Sequence, residues 1–293
     1  MRTKVALLAL VLVAAPAFGQ DRPLVTENPE LLSLGIVHAD FGVEFYHRQL
    51  YTLSGLEGDL MRLGVTSVRV GVGEYAEFQI SGVFRDFLTV ANRTTPVIPP
   101  TFAGNSTSDF GDIILGTKLK LAGESAKRPA ISFKFAVQLP NATNESGLGA
   151  DETEFYARTL VAKHFGKAEV IGNIGMAILG SSIIPNTQAD LLTYGAAFVL
   201  PVRNKLELVG EVNGRQGPPR VGNESLSQAL LGARVHAAGL RWDVAGLAGL
   251  KHFSPGSGLK IGVTYEFQAF QRKKGPKTIP QGAPKKTMPP DSR

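Results

Sequence analysis

Single charged residues are threaded through this chain inside stretches where apolar residues recur at every second position. Glu44, Lys118, Lys134, Arg158, Glu207, Glu211, Arg234 and Asp243 are the clearest cases. Side chains of both signs on one face of such stretches can do two things in an enclosed space: pair with one another, or line a narrow water-filled path. A strongly ion-selective pore needs a ring of one sign. The mixture here therefore predicts weak discrimination, with Lys134, Arg158, Glu207 and Glu211 as the candidate constriction. Other chemistries have thinner support. The histidines His38, His47, His164, His236 and His252 are scattered without metal-ligand spacing, and no cysteine is present, so no metal site is expected. Ser254 and Ser257 lie close to His252, as the nucleophile and base of a lipid-modifying enzyme would, but no orienting acid stands beside them. No phosphate loop, dinucleotide fingerprint or basic-aromatic surface is present, so neither a cofactor nor nucleic acid is expected.

The stretches that carry these charges read as β-strands. In Ala130 to Pro140, Ile131, Phe133, Phe135, Val137 and Leu139 share one face, and Ser132, Lys134 and Gln138 share the other. Ile36 to Tyr51, Glu77 to Val90, Ile113 to Leu121, Glu154 to Phe165 and Glu169 to Leu179 repeat the pattern. So do Asp190 to Leu200, Lys205 to Arg215, Ala229 to Ala237, Leu240 to Leu250 and Leu259 to Phe270. On this reading Arg85 faces inward with Gln79 and Ser81. Between Met61 and Val72 the alternation changes phase, which predicts a bulge near Thr66 or a misplaced turn. About twelve such segments between residues 36 and 270 make an all-β protein, a single antiparallel transmembrane β-barrel.

A soluble sandwich would alternate in the same way, and the connections separate the two. Long ones (52–58, 91–110, 141–151, 180–189, 216–224, 251–256) take turns with short ones near Gly73, at 123–129, 166–167, 201–204 and 238–239. That asymmetry is expected of an outer-membrane barrel with long outer loops and short periplasmic turns. Tyr51, Phe87, Phe155, Phe165, Trp242, Phe253, Phe267 and Phe270 fall near strand ends, where aromatic girdles form. The expected surroundings are outer-membrane lipid, after delivery by the barrel-assembly machinery.

Residues 1–19 read as an export signal. Arg2 and Lys4 precede an apolar run too short to span a bilayer, and Ala17-Phe18-Gly19 offers a small-x-small cleavage site before Gln20. Residues 20–35 then form an N-terminal periplasmic segment ahead of the barrel. The formal net charge of +6 suggests nucleic-acid binding only until it is located: the basic excess sits in the signal and in residues 271–293. That tail, rich in Lys, Arg, Pro and Gly, is predicted to be disordered. Its plainest reading is a solvated extension, and its functional reading an arm touching peptidoglycan or anionic lipid heads.

Four segments carry a family resemblance: Gly111-Asp112-Ile113-Ile114-Leu115-Gly116-Thr117-Lys118-Leu119-Lys120, the strand from Arg128-Pro129-Ala130 to Leu139-Pro140, the loop ending Asp151-Glu152-Thr153-Glu154, and Gly166-Lys167 to Gly172-Asn173-Ile174-Gly175. Together they resemble the outer-membrane family labelled as the MetA pathway of phenol degradation, over about two-thirds of the barrel. The resemblance implies a transporter-like barrel associated with uptake of hydrophobic or aromatic small molecules, and it brings no catalytic residues. The chain departs from many barrels by continuing past Phe270, the aromatic end of its presumed closing strand. The expected function is thus passive uptake of a small-molecule solute. A structural or surface-interaction barrel, its lumen closed by paired charges or by Asp21 to Leu34, is the alternative, and a lipid-modifying enzyme the third.

Overall fold

The computed structural model describes residues 22–271, so the export signal and the basic tail lie outside the described residues. Within them the chain forms thirteen strands: β1 Ile36–Tyr51, β2 Leu56–Gly71, β3 Ala76–Arg93, β4 Ser106–Asp109, β5 Ile113–Ala122, β6 Ala130–Leu139, β7 Glu154–Phe165, β8 Ala168–Gly180, β9 Gln188–Arg203, β10 Leu206–Gln216, β11 Leu226–Ala237, β12 Leu240–Gly249 and β13 Ser257–Gln268. All but β4 and β5 pair antiparallel with both neighbours in sequence, and β13 returns to β1 from Ile36↔Gln268 to His47↔Ser257. The short β4 pairs with the far end of β3, while β5 takes the near end, so the two act as one interrupted strand in a closed twelve-stranded barrel. Closure pairs the long strands on both sides, as hydrocarbon requires, and leaves only the outer edge of the short β4 without a strand partner among the described residues.

Period-two alternation sorts the side chains as predicted. Phe41, Phe45, Phe78, Ile80, Leu115, Phe133, Phe135, Ile174, Leu192, Val212, Leu231 and Ile261 stand exposed on the outer wall. His38, Asp40, Glu44, Glu77, Lys118, Glu169, Glu211, Arg234, Asp243 and Lys260 are buried inside. An apolar exterior around a charged interior inverts the soluble pattern and is stable only against lipid. At the centre of β6, Phe135→Arg is expected to cost about 2–4 kcal/mol of barrel stability, the depth-dependent penalty for a cation facing the midplane. Lys134→Gln, on the opposite face, should leave the barrel unfolding transition in place. Urea unfolding from lipid vesicles would compare the two.

The phase change between Met61 and Val72 is a bulge within a continuous β2. Val65 pairs with Gly42 but Leu63 with Val43, leaving Gly64 extra at φ 67, a left-handed conformation natural to glycine. Met61 and Leu63 therefore face out before it, and Val68 and Val70 after it, opposite Ile80 and Phe78.

Two parity assignments need correction. Arg85 pairs with Leu63 on the outer face rather than pointing inward. Its guanidinium lies 5.1 Å from the Phe110 ring centroid and donates to Ser108 Oγ at 2.8 Å. Tyr51 does not join a girdle. The register of β1 slips between Tyr46 and Gln49, with Arg48 at φ 55, and turns Tyr51 inward against the cluster of Tyr46, Leu56, Leu60, Leu88, Val90 and Leu247. The first outer connection is also short, at residues 52–55.

The largest departure concerns the segment before β1. It does not sit beside the barrel as a periplasmic extension: residues 22–34 run through the lumen. The chain enters at Gly35, whose N–H donates to Gly71 O at 2.8 Å and whose φ of 78 makes the reversal. A Cβ there would lie 1.8 Å from Phe270 O, so only glycine fits between the strand ends. The reason is chemical. A non-periodic peptide offers unpaired backbone amides, and the lumen presents carboxylates and amides that accept from them.

Candidate functional site

The inserted segment crosses the end of the lumen nearest the short turns, held strand by strand. Leu32 N donates to Glu77 Oε2 at 2.8 Å, and the Pro29 carbonyl accepts from Ser132 Oγ at 2.5 Å. The Asn28 side-chain amide donates to Glu169 Oε1 at 2.6 Å, and Glu27 N to Asn173 Oδ1 at 2.7 Å. Glu211 accepts from the amides of both Val25 and Thr26, at 2.8 and 2.7 Å. Arg22 ends the crossing, 3.7 Å from both Glu44 Oε1 and Asp243 Oδ1, while its carbonyl accepts from Arg234 Nε at 2.8 Å. Leu24 packs among Ala162, Ile171, Ala197, Val199, Val209, Leu230 and Ala245, an apolar patch on the inner wall. Burying that leucine contributes roughly 1.5–3 kcal/mol.

Glu27 is the electrostatic centre of the plug. Lys134 Nζ lies 2.5 Å and Lys118 Nζ 3.5 Å from its carboxylate, and Lys118 also reaches Glu77 at 3.4 Å and the Asn28 carbonyl at 3.1 Å. Lys118 and the Glu77 side chain are wholly excluded from solvent. Burial works against ionisation of Glu27, which lies on the inserted segment outside the strands. The attraction of Lys134 and then Lys118, with hydrogen bonds from Gln79 and Lys134, overcomes it and holds the carboxyl at about 2. A folded-state value below the ordinary 4.5 means that the free segment binds protons more readily. The stabilisation is therefore complete above about pH 4.5 and is lost as pH falls towards about 2. Protease protection of residues 22–34 is expected to hold from pH 7 to 5 and to decline below that, with Glu27→Gln abolishing the step.

The charges singled out by the alternation thus have separate duties. Lys118, Lys134 and Glu211 grip the plug, and Glu44, Arg234 and Asp243 enclose Arg22. Glu207 pairs with Arg234 at 3.4 Å and lies 3.9 Å from His236 near the short-turn rim. Arg158 makes no contact of this kind: it lies over the Tyr156 ring at 5.1 Å and faces open space. Sequence reasoning reaches the plug only as a segment, Asp21 to Leu34, that could close the lumen, and singles out none of its residues, of which Arg22, Leu24, Glu27 and Asn28 matter most. Their only signal is the pairing of charged and apolar residues in a segment without period.

Between the plug and the long loops two cavities of about 340 and 210 Å³ remain, and Val25, Tyr156 and Arg158 line both. Arg62, Lys134 and Lys260 face Asp40, Glu44 and Asp112 around the larger one. Towards the long loops the inner wall turns apolar, with the Leu56, Leu60 and Leu88 cluster capped by Phe102 and Leu148. Leu179 and Leu191 lie against Tyr156 in a second apolar cluster. The loops close over this end: Ser54 Oγ donates to Gly147 O at 2.7 Å and Thr107 Oγ1 to Ser146 O at 2.9 Å. Ser254 spends its hydroxyl on the Ser227 backbone, donating at 2.7 Å and accepting at 2.9 Å, which ties a loop to β11.

No family model matches the chain, and no curated protein matches it in sequence. Among solved structures it is similar to the COG4313 outer membrane channel from Pseudomonas putida F1, with a TM-score of 0.56 at 16% identity over 81% of this chain and 97% of that one. The translocator domain of the autotransporter NalP from Neisseria meningitidis gives a TM-score of 0.45 at 12% identity, over 79% and 87% of the two chains. At such identities the likeness concerns fold alone, and the fold is that of an outer-membrane β-barrel.

Proposed function

We propose that this protein is a channel of the bacterial outer membrane, closed at rest by its own residues 22–34 and admitting small molecules of apolar or aromatic character when they yield. Export by residues 1–19 and insertion by the barrel-assembly machinery belong to the same reading. The observation that carries it is how the lumen is filled: residues 22–34 form no strand and are held through side chains of the wall, while the barrel closes by strand pairing that does not involve them. A segment held in this way can leave without breaking the wall. The apolar wall towards the long loops and the resemblance to the phenol-degradation family support the solute class.

The sealed scaffold remains the second reading, because the plug is held on nearly every side. Purified full-length protein in liposomes separates the two. Uptake of a small neutral solute above that of empty vesicles is expected of the channel. No uptake, with or without residues 22–34, identifies the scaffold.

A further inference from the structure

We propose that the smaller cavity is a binding site for a small organic carboxylate with a flat apolar body, which deepens the channel reading by naming the ligand class. The lining contains two cations, Arg158 and Arg215, and no acid. The larger cavity beside it shares Arg158 and sets five cations against four acids, whereas the smaller has no acid in its lining; Glu154, behind Tyr156, is the nearby carboxylate that attracts Arg215. Four polar atoms in its wall are buried without a hydrogen-bond partner: Arg158 Nε, Thr193 Oγ1, Asn213 Nδ2 and Thr26 Oγ1. Two of them are obligate donors and the hydroxyls can donate as well. Donors that no protein acceptor meets are free for a ligand, and an oxyanion would satisfy them.

Each arginine is preset for the task. The Arg158 guanidinium lies over the Tyr156 ring, 5.1 Å from its centroid, a cation–π contact that holds it without neutralising it. Arg215 donates Nε to the Glu224 carbonyl at 2.9 Å, leaving its terminal nitrogens uncommitted to any carboxylate within ion-pair distance. The Tyr156 ring, Val25 and Leu226 supply the apolar surface for the body of the ligand. A volume of about 210 Å³ exceeds the roughly 150 Å³ cavity that admits benzene in another protein. The floor, Val25 and Thr26, belongs to the plug, so the site is complete only while the plug is seated.

Calorimetric titration of the detergent-solubilised full-length protein with benzoate, and with benzyl alcohol as its neutral counterpart, tests this. Benzoate is expected to bind roughly tenfold tighter or more, the scale of a charge-assisted contact. Arg158→Gln should remove that preference and leave benzyl alcohol affinity within about twofold. Asn213→Asp, which places a carboxylate in the wall, should do the same if the first variant folds poorly. Arg85→Gln, on the outer face, should change nothing. Equal affinity for the two probes, no binding of either, or a preference that survives both cavity substitutions would overturn the proposal. Liposome flux is read separately on the same preparations. Neutral-solute flux without benzoate preference leaves the channel reading standing and removes this site, and benzoate preference without flux does the reverse.

Discussion

Deleting residues 22–34 is expected to raise small-solute flux in liposomes roughly tenfold or more, because the segment fills the short-turn half of the lumen. The barrel itself should remain. Its closure rests on backbone pairing between neighbouring strands, including twelve register pairs between β1 and β13, and none of these involves the segment. Water replaces the plug around Glu77, Lys118, Lys134 and Glu211, so the charges that faced one another through Glu27 and the plug amides are rehydrated. The loss falls on the Leu24 contact and on the plug's hydrogen bonds, which are properties of the closed state. Retained heat-modifiable mobility in gels together with increased flux would bear this out. Unchanged flux would mean that the long loops, with Phe102 and Leu148, seal the barrel on their own.

Lys118→Met is expected to unseat the plug without unfolding the barrel. Lys118 is the one cation shared by Glu27 and Glu77 among the described residues, and it also holds the Asn28 carbonyl. Removing one member of a buried ionic cluster typically costs about 3–5 kcal/mol, because the partner charge is left in a dry site. A soluble core has no escape from that cost. Here the plug can leave and let water reach Glu77, so the penalty appears as opening. Limited proteolysis should cut residues 22–34 far faster in the variant, and neutral-solute flux should rise. Lys118→Arg, which keeps the charge, should recover part of the protection. A plug as protected as in the unaltered protein would show that Lys134 and Glu211 hold it unaided.

Most of the wall was legible because period-two alternation leaves little freedom. Ile36–Tyr51 and Glu154–Phe165 were predicted with the bounds the structure has, and a charged residue between two phenylalanines, as at Lys134, admits one orientation. The bulge in β2 was legible within two residues, since a phase change in a continuous apolar run must be absorbed somewhere, and Gly64 is where the backbone allows it. The bulge at His47 and Arg48 was not. No glycine marks it, and the side chains around it are polar on both faces, so the inward turn of Tyr51 left no trace. Arg85 was misread because alternation in β3 also changes phase beyond Val83, where Asp86 and Leu88 take over the inner face.

The plug was visible only as an alternative, lumen closure by Asp21 to Leu34. Its contacts join residues from 45 to more than two hundred positions apart, and many run from a backbone amide to a side chain, as with Glu27 N to Asn173 Oδ1. Backbone amides have no sequence signature. Glu211 was therefore assigned to a constriction, a natural role for an inward acid, although its oxygens accept from Val25 and Thr26.

If the channel opens by movement of residues 22–34, a reversible lock on that segment should close it. The chain has no cysteine, so a single pair can be introduced without competing thiols. A Cβ built on Gly195 lies 3.3 Å from the Thr26 Cβ, close to the span of about 3.5–4.5 Å that a disulfide requires. Thr26→Cys with Gly195→Cys, oxidised and reconstituted, is predicted to reduce neutral-solute flux to that of empty liposomes, and reduction to restore it. Equal flux in the two redox states, with the cross-link verified as complete, would contradict the account.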